Sequence, residues 1–210
     1  MTKIINVDPL APEVPALEEA VEVLREGGII AYPTETFYGL GADAFSENAI
    51  KRLYRIKGRD ENKPISILIK DQDMLKQVTE NIPPGAEVLM QEFWPGPLTL
   101  IFKGRDRLPS GLTGGTGKIG VRISSQLVAR RILEIFELPI TTTSANVSGR
   151  KSPVTAQEIL GISDGIDLIL DGGRLPGQKG STIVDFTLSP PEIVREGEIP
   201  GRVIMDFLEK

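Results

Sequence analysis

Strand-like and helix-like segments are interleaved along these 210 residues, in an order that is not a strict βαβ repeat. "ALEEAVEVLREGG" puts Leu17, Ala20, Val21 and Leu24 on one helical face and stops at glycines. "GGIIAY" follows as a buried strand, and Ser46 caps a helix over "ENAIKRLYRIKG" with Ile50, Leu53 and Tyr54 in its apolar stripe. "PISILI" (64–69) is a strand, "PPGAEVLMQEFWPGP" a short helix stopped at Pro95, and "LTLIFK" a strand. Strands over "KIGVRIS" (118–124), "LPITTT", "IDLIL", "STIVDFT" and "EIVREG" complete the pattern, with helices over "LVARRILEIFE" and "TAQEIL". Many strands with about five or six helices in this order predict an α/β or α+β fold on an open, mixed, twisted sheet. No repeat, low-complexity tract or linker divides the chain, and 40% of it is apolar, so one domain over 1–210 is expected.

The chain contains no histidine and no cysteine. Serine–histidine triads, histidine bases, histidine metal sites, thiol nucleophiles and zinc–thiolate sites are therefore excluded. An enzyme built from these residues works through positioning, hydroxyls, carboxylates and fixed cations. The formal net charge of −5 disfavours a broad nucleic-acid-binding face, although local basic clusters can still hold phosphate. No apolar run approaches the length of a membrane span, and "MTKIINVDPL" lacks the stretch of a secretory signal. A cysteine-free chain suits a reducing compartment, so a cytoplasmic location is expected.

Three apolar strands run out into hydroxyls, glycines and amides: "PTETFYGLG", "TTTSANVSG" and "PGQKGSTIVDF". One such end is an ordinary turn with Asx or serine capping. Three together point to a pocket where strand ends converge, with hydroxyls and backbone N–H groups for phosphates or a zwitterionic amino acid. Arg55, Lys57, Arg59 and Lys63 in "RIKGRDENKP" either complement a helix dipole or form an anion clamp. "GGTGKIG" satisfies G-x-G-x-x-G, but a strand follows where a dinucleotide-binding turn must open a helix, so a loop is the better reading.

"PTETFYGLG", "KGRDENKPIS", "SANVSG" with "SP" close behind, "GSTIVDF" and "VREG" resemble, in the same order, the motifs of the YrdC-like family. Its K-x-R and S-x-N signature stands here as Lys57-Gly58-Arg59 and Ser144-Ala145-Asn146, and the likeness runs from about residue 15 to 202. The turn "DENK" departs from the proline that many relatives carry directly after the arginine. The chain ends soon after "VREGEIPGRV", which resembles the short single-domain form. The resemblance implies an open sheet twisted around a deep cationic cavity. It implies synthesis of threonylcarbamoyl-AMP and pyrophosphate from L-threonine, bicarbonate or CO2, and ATP, with Mg2+ accompanying the triphosphate. The product is the activated intermediate for N6-threonylcarbamoyladenosine in tRNA. Hand-over to a tRNA threonylcarbamoyl transferase is implied, with direct tRNA binding weak or absent and no membrane partner.

By the same resemblance, Lys57, Arg59 and Lys63 hold ATP phosphates, and Ser144, Asn146 and Ser152 line the nucleotide site with Arg195 closing over it. Lys57, Arg59, Ser144 and Asn146 form the implied catalytic set, and Lys118 contacts ATP through side chain or backbone. Thr36 and Thr182 bind threonine and Arg122 pairs with its carboxylate, with Ser181 not separable from Thr182 at this level. Tyr38 is either a lid or packing. An RNA-binding module using the cavity, and a carbamoyl or adenylyl transferase acting on another amine, are the alternatives.

Overall fold

The computed structural model describes residues 2–162 and 164–209. Its strands are β1 (Lys3–Asn6), β2 (Ile30–Pro33), β3 (Tyr38–Gly41), β4 (Ser66–Leu68), β5 (Leu98–Lys103), β6 (Lys118–Arg122), β7 (Ile140–Ser144), β8 (Leu168–Asp171), β9 (Thr182–Asp185) and β10 (Glu192–Arg195). They join in one sheet of order β1-β8-β2-β3-β7-β4-β6-β5-β9-β10. The sheet is mixed, as expected: β4 runs parallel to β6 and β5 to β9, whereas β3–β7, β4–β7 and β5–β6 are antiparallel.

The helices are α1 (Val14–Arg25), α2 (Glu47–Lys57), α3 (Gln72–Val78), α4 (Pro84–Phe93), α5 (Ser110–Thr113), α6 (Leu127–Phe136), α7 (Ala156–Leu160) and α8 (Gly201–Leu208). α3, α5, α8 and β1 exceed the sequence expectation: α3 and α5 span only seven and four residues, β1 has no fully buried position, and α8 buries only Gly201 and Ile204. Leu17, Ala20, Val21 and Leu24 bury the face expected of α1, which packs on α6 and β2. Ser46 caps α2 as expected, its hydroxyl accepting from the Ala49 N–H at 3.3 Å. Among the described residues no helix is long and apolar enough to cross a membrane.

Two local features differ from the sequence reading and shape the site. First, "YPTETFYGLG" does not leave the sheet: β2 and β3 form a hairpin in which Pro33 pairs with Tyr38 and Ile30 with Gly41. Glycines normally weaken a strand, but here they make room for a buried ring. A Cβ on Gly41 would lie 2.8 Å from Tyr32 Cε1 and 3.0 Å from Ile30 Cγ1. Second, β10 carries a bulge, since Ile193 pairs with Val184 and Arg195 with Ile183 while Val194 is skipped. Such an extra residue bends the strand and re-aims the side chains beside it.

Candidate active site

A cavity of about 570 Å³ lies across one face of the central sheet. The two-residue period of the strands builds its floor. Lys118, Gly120 and Arg122 of β6 line it, while Ile119 and Val121 between them are fully buried in the core. Thr99 and Ile101 of β5, Ser66 of β4, Thr142 and Ser144 of β7, and Ile183 of β9 continue the same surface. The β2–β3 turn adds Thr34 and Thr36, and the bulged end of β10 adds Val194 and Arg195. The site therefore occupies a sheet face as well as the strand ends where sequence reasoning put it.

Nine of the residues given a substrate or nucleotide role from sequence line this cavity: Thr36, Arg59, Lys63, Lys118, Arg122, Ser144, Ser152, Ser181 and Arg195. Gly58 caps the C-terminus of α2, and its left-handed φ of 52° turns the chain so that Arg59 and Lys63 reach the cavity wall. Arg59 donates to the main-chain oxygens of Lys63 (3.3 Å) and Pro64 (3.0 Å), and the Tyr54 hydroxyl donates to Lys63 O at 2.6 Å, which fixes the "DENK" turn. Arg195 donates to Ser181 O (2.7 Å) and Ser181 Oγ (3.0 Å), and that hydroxyl also bonds Thr99 Oγ1 at 2.8 Å. Burial, and then Arg122, lower the affinity of Arg195 for its proton.

Three residues are not brought to the cavity: Lys57, Asn146 and Thr182. Lys57 is buried behind its wall, with Nζ donating to Ser144 O (2.5 Å), Asn146 O (2.9 Å) and Asn146 Oδ1 (3.4 Å). Asn146 closes the same turn, accepting from Ser144 Oγ at 2.5 Å and donating to Arg150 O. The Thr182 hydroxyl donates to Ile199 O (2.6 Å) and accepts the N–H groups of Gly197 (3.0 Å) and Ile199 (3.1 Å). That leaves it no part in the cavity, whereas Ser181, one residue earlier and on the opposite face, lines it. Tyr38 is packing and not a lid: it is fully buried, and its hydroxyl donates to Gly173 O at 2.7 Å and accepts from the Gly172 N–H at 3.0 Å. Burial and the neighbouring Asp171 raise its pKa.

The cavity's cations fall into two sets. Arg122 is paired with Glu35 at 2.9 Å and Lys118 with Asp185 at 2.9 Å. Against the burial that would raise it, the Thr187 hydroxyl and then Lys118 hold the Asp185 carboxyl below its usual value. Arg59, Lys63 and Arg195 form no ion pair among the described residues, so their charge is available to an anion. Glu35, Asp185 and Thr99 were missed from sequence. Glu35 stood in view inside "PTETFYGLG", but its partner lies 87 residues away.

Known proteins resemble this chain in both sequence and fold. A family model named Sua5_yciO_yrdC, described as "Telomere recombination", matches residues 22–197. The threonylcarbamoyl-AMP synthase of Pyrococcus abyssi is 40% identical over 95% of the chain and 59% of that relative's length. The crystal structure of P. abyssi Sua5 complexed with L-threonine superposes with a TM-score of 0.92 at 38% identity, covering 98% of this chain and 61% of that one. E. coli YciO superposes with a TM-score of 0.84 at 32% identity, covering 94% and 97%. The chain thus spans about three fifths of the length of the first two.

Proposed function

The chain belongs to the Sua5–YciO–YrdC family, and from that membership we propose that it makes threonylcarbamoyl-AMP and pyrophosphate from L-threonine, bicarbonate or CO2, and ATP. The observation that carries the reading is that one cavity holds both a hydroxyl-lined wall and three cations that form no ion pair among the described residues. That combination suits an amino acid beside a triphosphate.

In this reading the threonine amine adds to CO2 and loses a proton, giving an N-carboxylate. The carboxylate attacks the α-phosphorus in line and pyrophosphate leaves. The chemistry needs two reactants oriented and spreading phosphate charge neutralised, which a chain without histidine can supply. Arg59, Lys63 and Arg195 take the phosphates, with Lys118 beside them. Ser144 and Ser152 line the nucleotide, Arg122 pairs with the threonine carboxylate, and Thr36 reads the amino acid. Lys57 and Asn146 act by holding the Ser144 turn. Among the described residues no group of three or more acidic side chains is placed to hold a metal; Mg2+ accompanying the triphosphate would add to the charge neutralisation that Arg59, Lys63 and Arg195 supply. The product passes to a tRNA threonylcarbamoyl transferase in the cytoplasm.

The test is pyrophosphate release dependent on both threonine and bicarbonate. Folded Arg59→Ala protein is expected to lose about 100- to 1,000-fold in rate, as when one charge-stabilising donor is removed. Full activity in that variant overturns the site. No release from the unsubstituted protein overturns the function.

A further inference from the structure

We propose that Glu35 is a positioning residue that fixes which edge of the Arg122 guanidinium meets a ligand carboxylate. The inference rests on the reading of the cavity as a threonine-activating site. Arg122 ends β6 with its side chain only 5% exposed, and its Nη1 donates to Glu35 Oε1 at 2.9 Å. The other oxygen of Glu35 is held by the Ser124 hydroxyl, two residues beyond Arg122. Ser124 is itself fully buried and also accepts the Gln126 N–H at 3.2 Å. The carboxylate is therefore clamped from both sides and cannot swing.

A guanidinium offers two forks, and occupying Nη1 leaves the edge made by Nε and Nη2. Nε is buried with no hydrogen-bond partner among the described residues. A buried donor left unpaired is costly and rare, so this edge keeps hydrogen-bonding capacity that the protein does not use. Arg122 lines the cavity and a planar carboxylate matches a two-donor edge, so this edge suits the α-carboxylate of the amino-acid substrate. Glu35 does not touch that substrate. It sets the rotation of the group that does, and it keeps a buried cation from standing uncompensated.

The test compares steady-state kinetics of Glu35→Gln, Arg122→Lys and the double variant, with melting recorded for each. Glu35→Gln is expected to raise KM for L-threonine at least about tenfold while kcat and KM for ATP stay within about threefold. In the Arg122→Lys background the same change is expected to add less than about twofold, because the two residues act as a unit. Ser124→Ala, which leaves the ion pair intact, is expected to raise the threonine KM by about two- to fivefold and carries the test if Glu35→Gln does not fold. An unchanged threonine KM in the folded Glu35→Gln variant, or in Ser124→Ala, overturns the proposal. So does a Glu35→Gln effect that multiplies fully with Arg122→Lys. If the unsubstituted protein shows no threonine-dependent turnover, the functional reading falls, and the inference with it.

Discussion

Lys57 Nζ lies 2.9 Å from the main-chain oxygen of Asn146 and 2.5 Å from that of Ser144, so the two halves of the K-x-R and S-x-N signature are bonded to each other. The lysine reaches from the last residue of α2 to the end of β7 and holds a turn whose serine lines the cavity. Arg59, two residues on and past the left-handed Gly58, faces the cavity itself. One half of K-x-R is thus structural support and the other is a cavity cation.

This burial has a pH signature. Desolvation, and then the nearby Arg59, bring Lys57 down to about 8 from its usual 10.5. The unfolded chain therefore binds more protons than the folded one between about pH 8 and 10.5, and stability rises with pH through that window. The contribution is present above the unfolded value and lost as pH falls through the folded one. Urea unfolding of the unsubstituted protein and Lys57→Met at pH 7 and pH 10.5 is expected to show the former gaining on the order of 3 kcal/mol relative to the variant. A constant difference contradicts the assignment.

Gly41→Ala is expected to destabilise the protein by about 1–3 kcal/mol, because its Cβ would press into the Tyr32 ring and Ile30. The Tyr32 hydroxyl donates to Thr141 O at 3.0 Å, so the ring cannot withdraw without breaking a buried bond. A denaturant midpoint equal to that of the unsubstituted protein contradicts this packing.

Valine matches threonine in shape but lacks its hydroxyl. A cavity walled by Thr34 and Thr36 is expected to turn over valine at least about a hundredfold more slowly, measured as kcat/KM. Equal values for the two amino acids would mean that the wall does not read the side chain.

Much of this was legible in the sequence, for reasons that can be traced to particular residues. Alternation in "KIGVRIS" separates Lys118, Gly120 and Arg122 from Ile119 and Val121, and the structure divides cavity from core along that line. The cation cluster after α2 was visible, but not that Lys57 turns inward while Arg59 and Lys63 turn out. That depends on Gly58 and on acceptors 87 and 89 residues away. Ser181 and Thr182 are adjacent hydroxyls of equal promise on paper. They separate once β9 fixes a face for each, and the Gly197–Ile199 turn then takes up the threonine. The β2–β3 hairpin was hidden because its glycines read as turn residues until the Tyr32 ring is seen lying over them.

The central claim is that the cavity joins threonine, CO2 and an adenylyl group. Its most direct test is mass detection of the product formed from ATP, L-threonine and carbon-13 bicarbonate. The expected product is threonylcarbamoyl-AMP carrying the label in its carbamoyl carbon, with one pyrophosphate released per molecule. Pyrophosphate released without threonine, or an adenylate lacking the label, would contradict it.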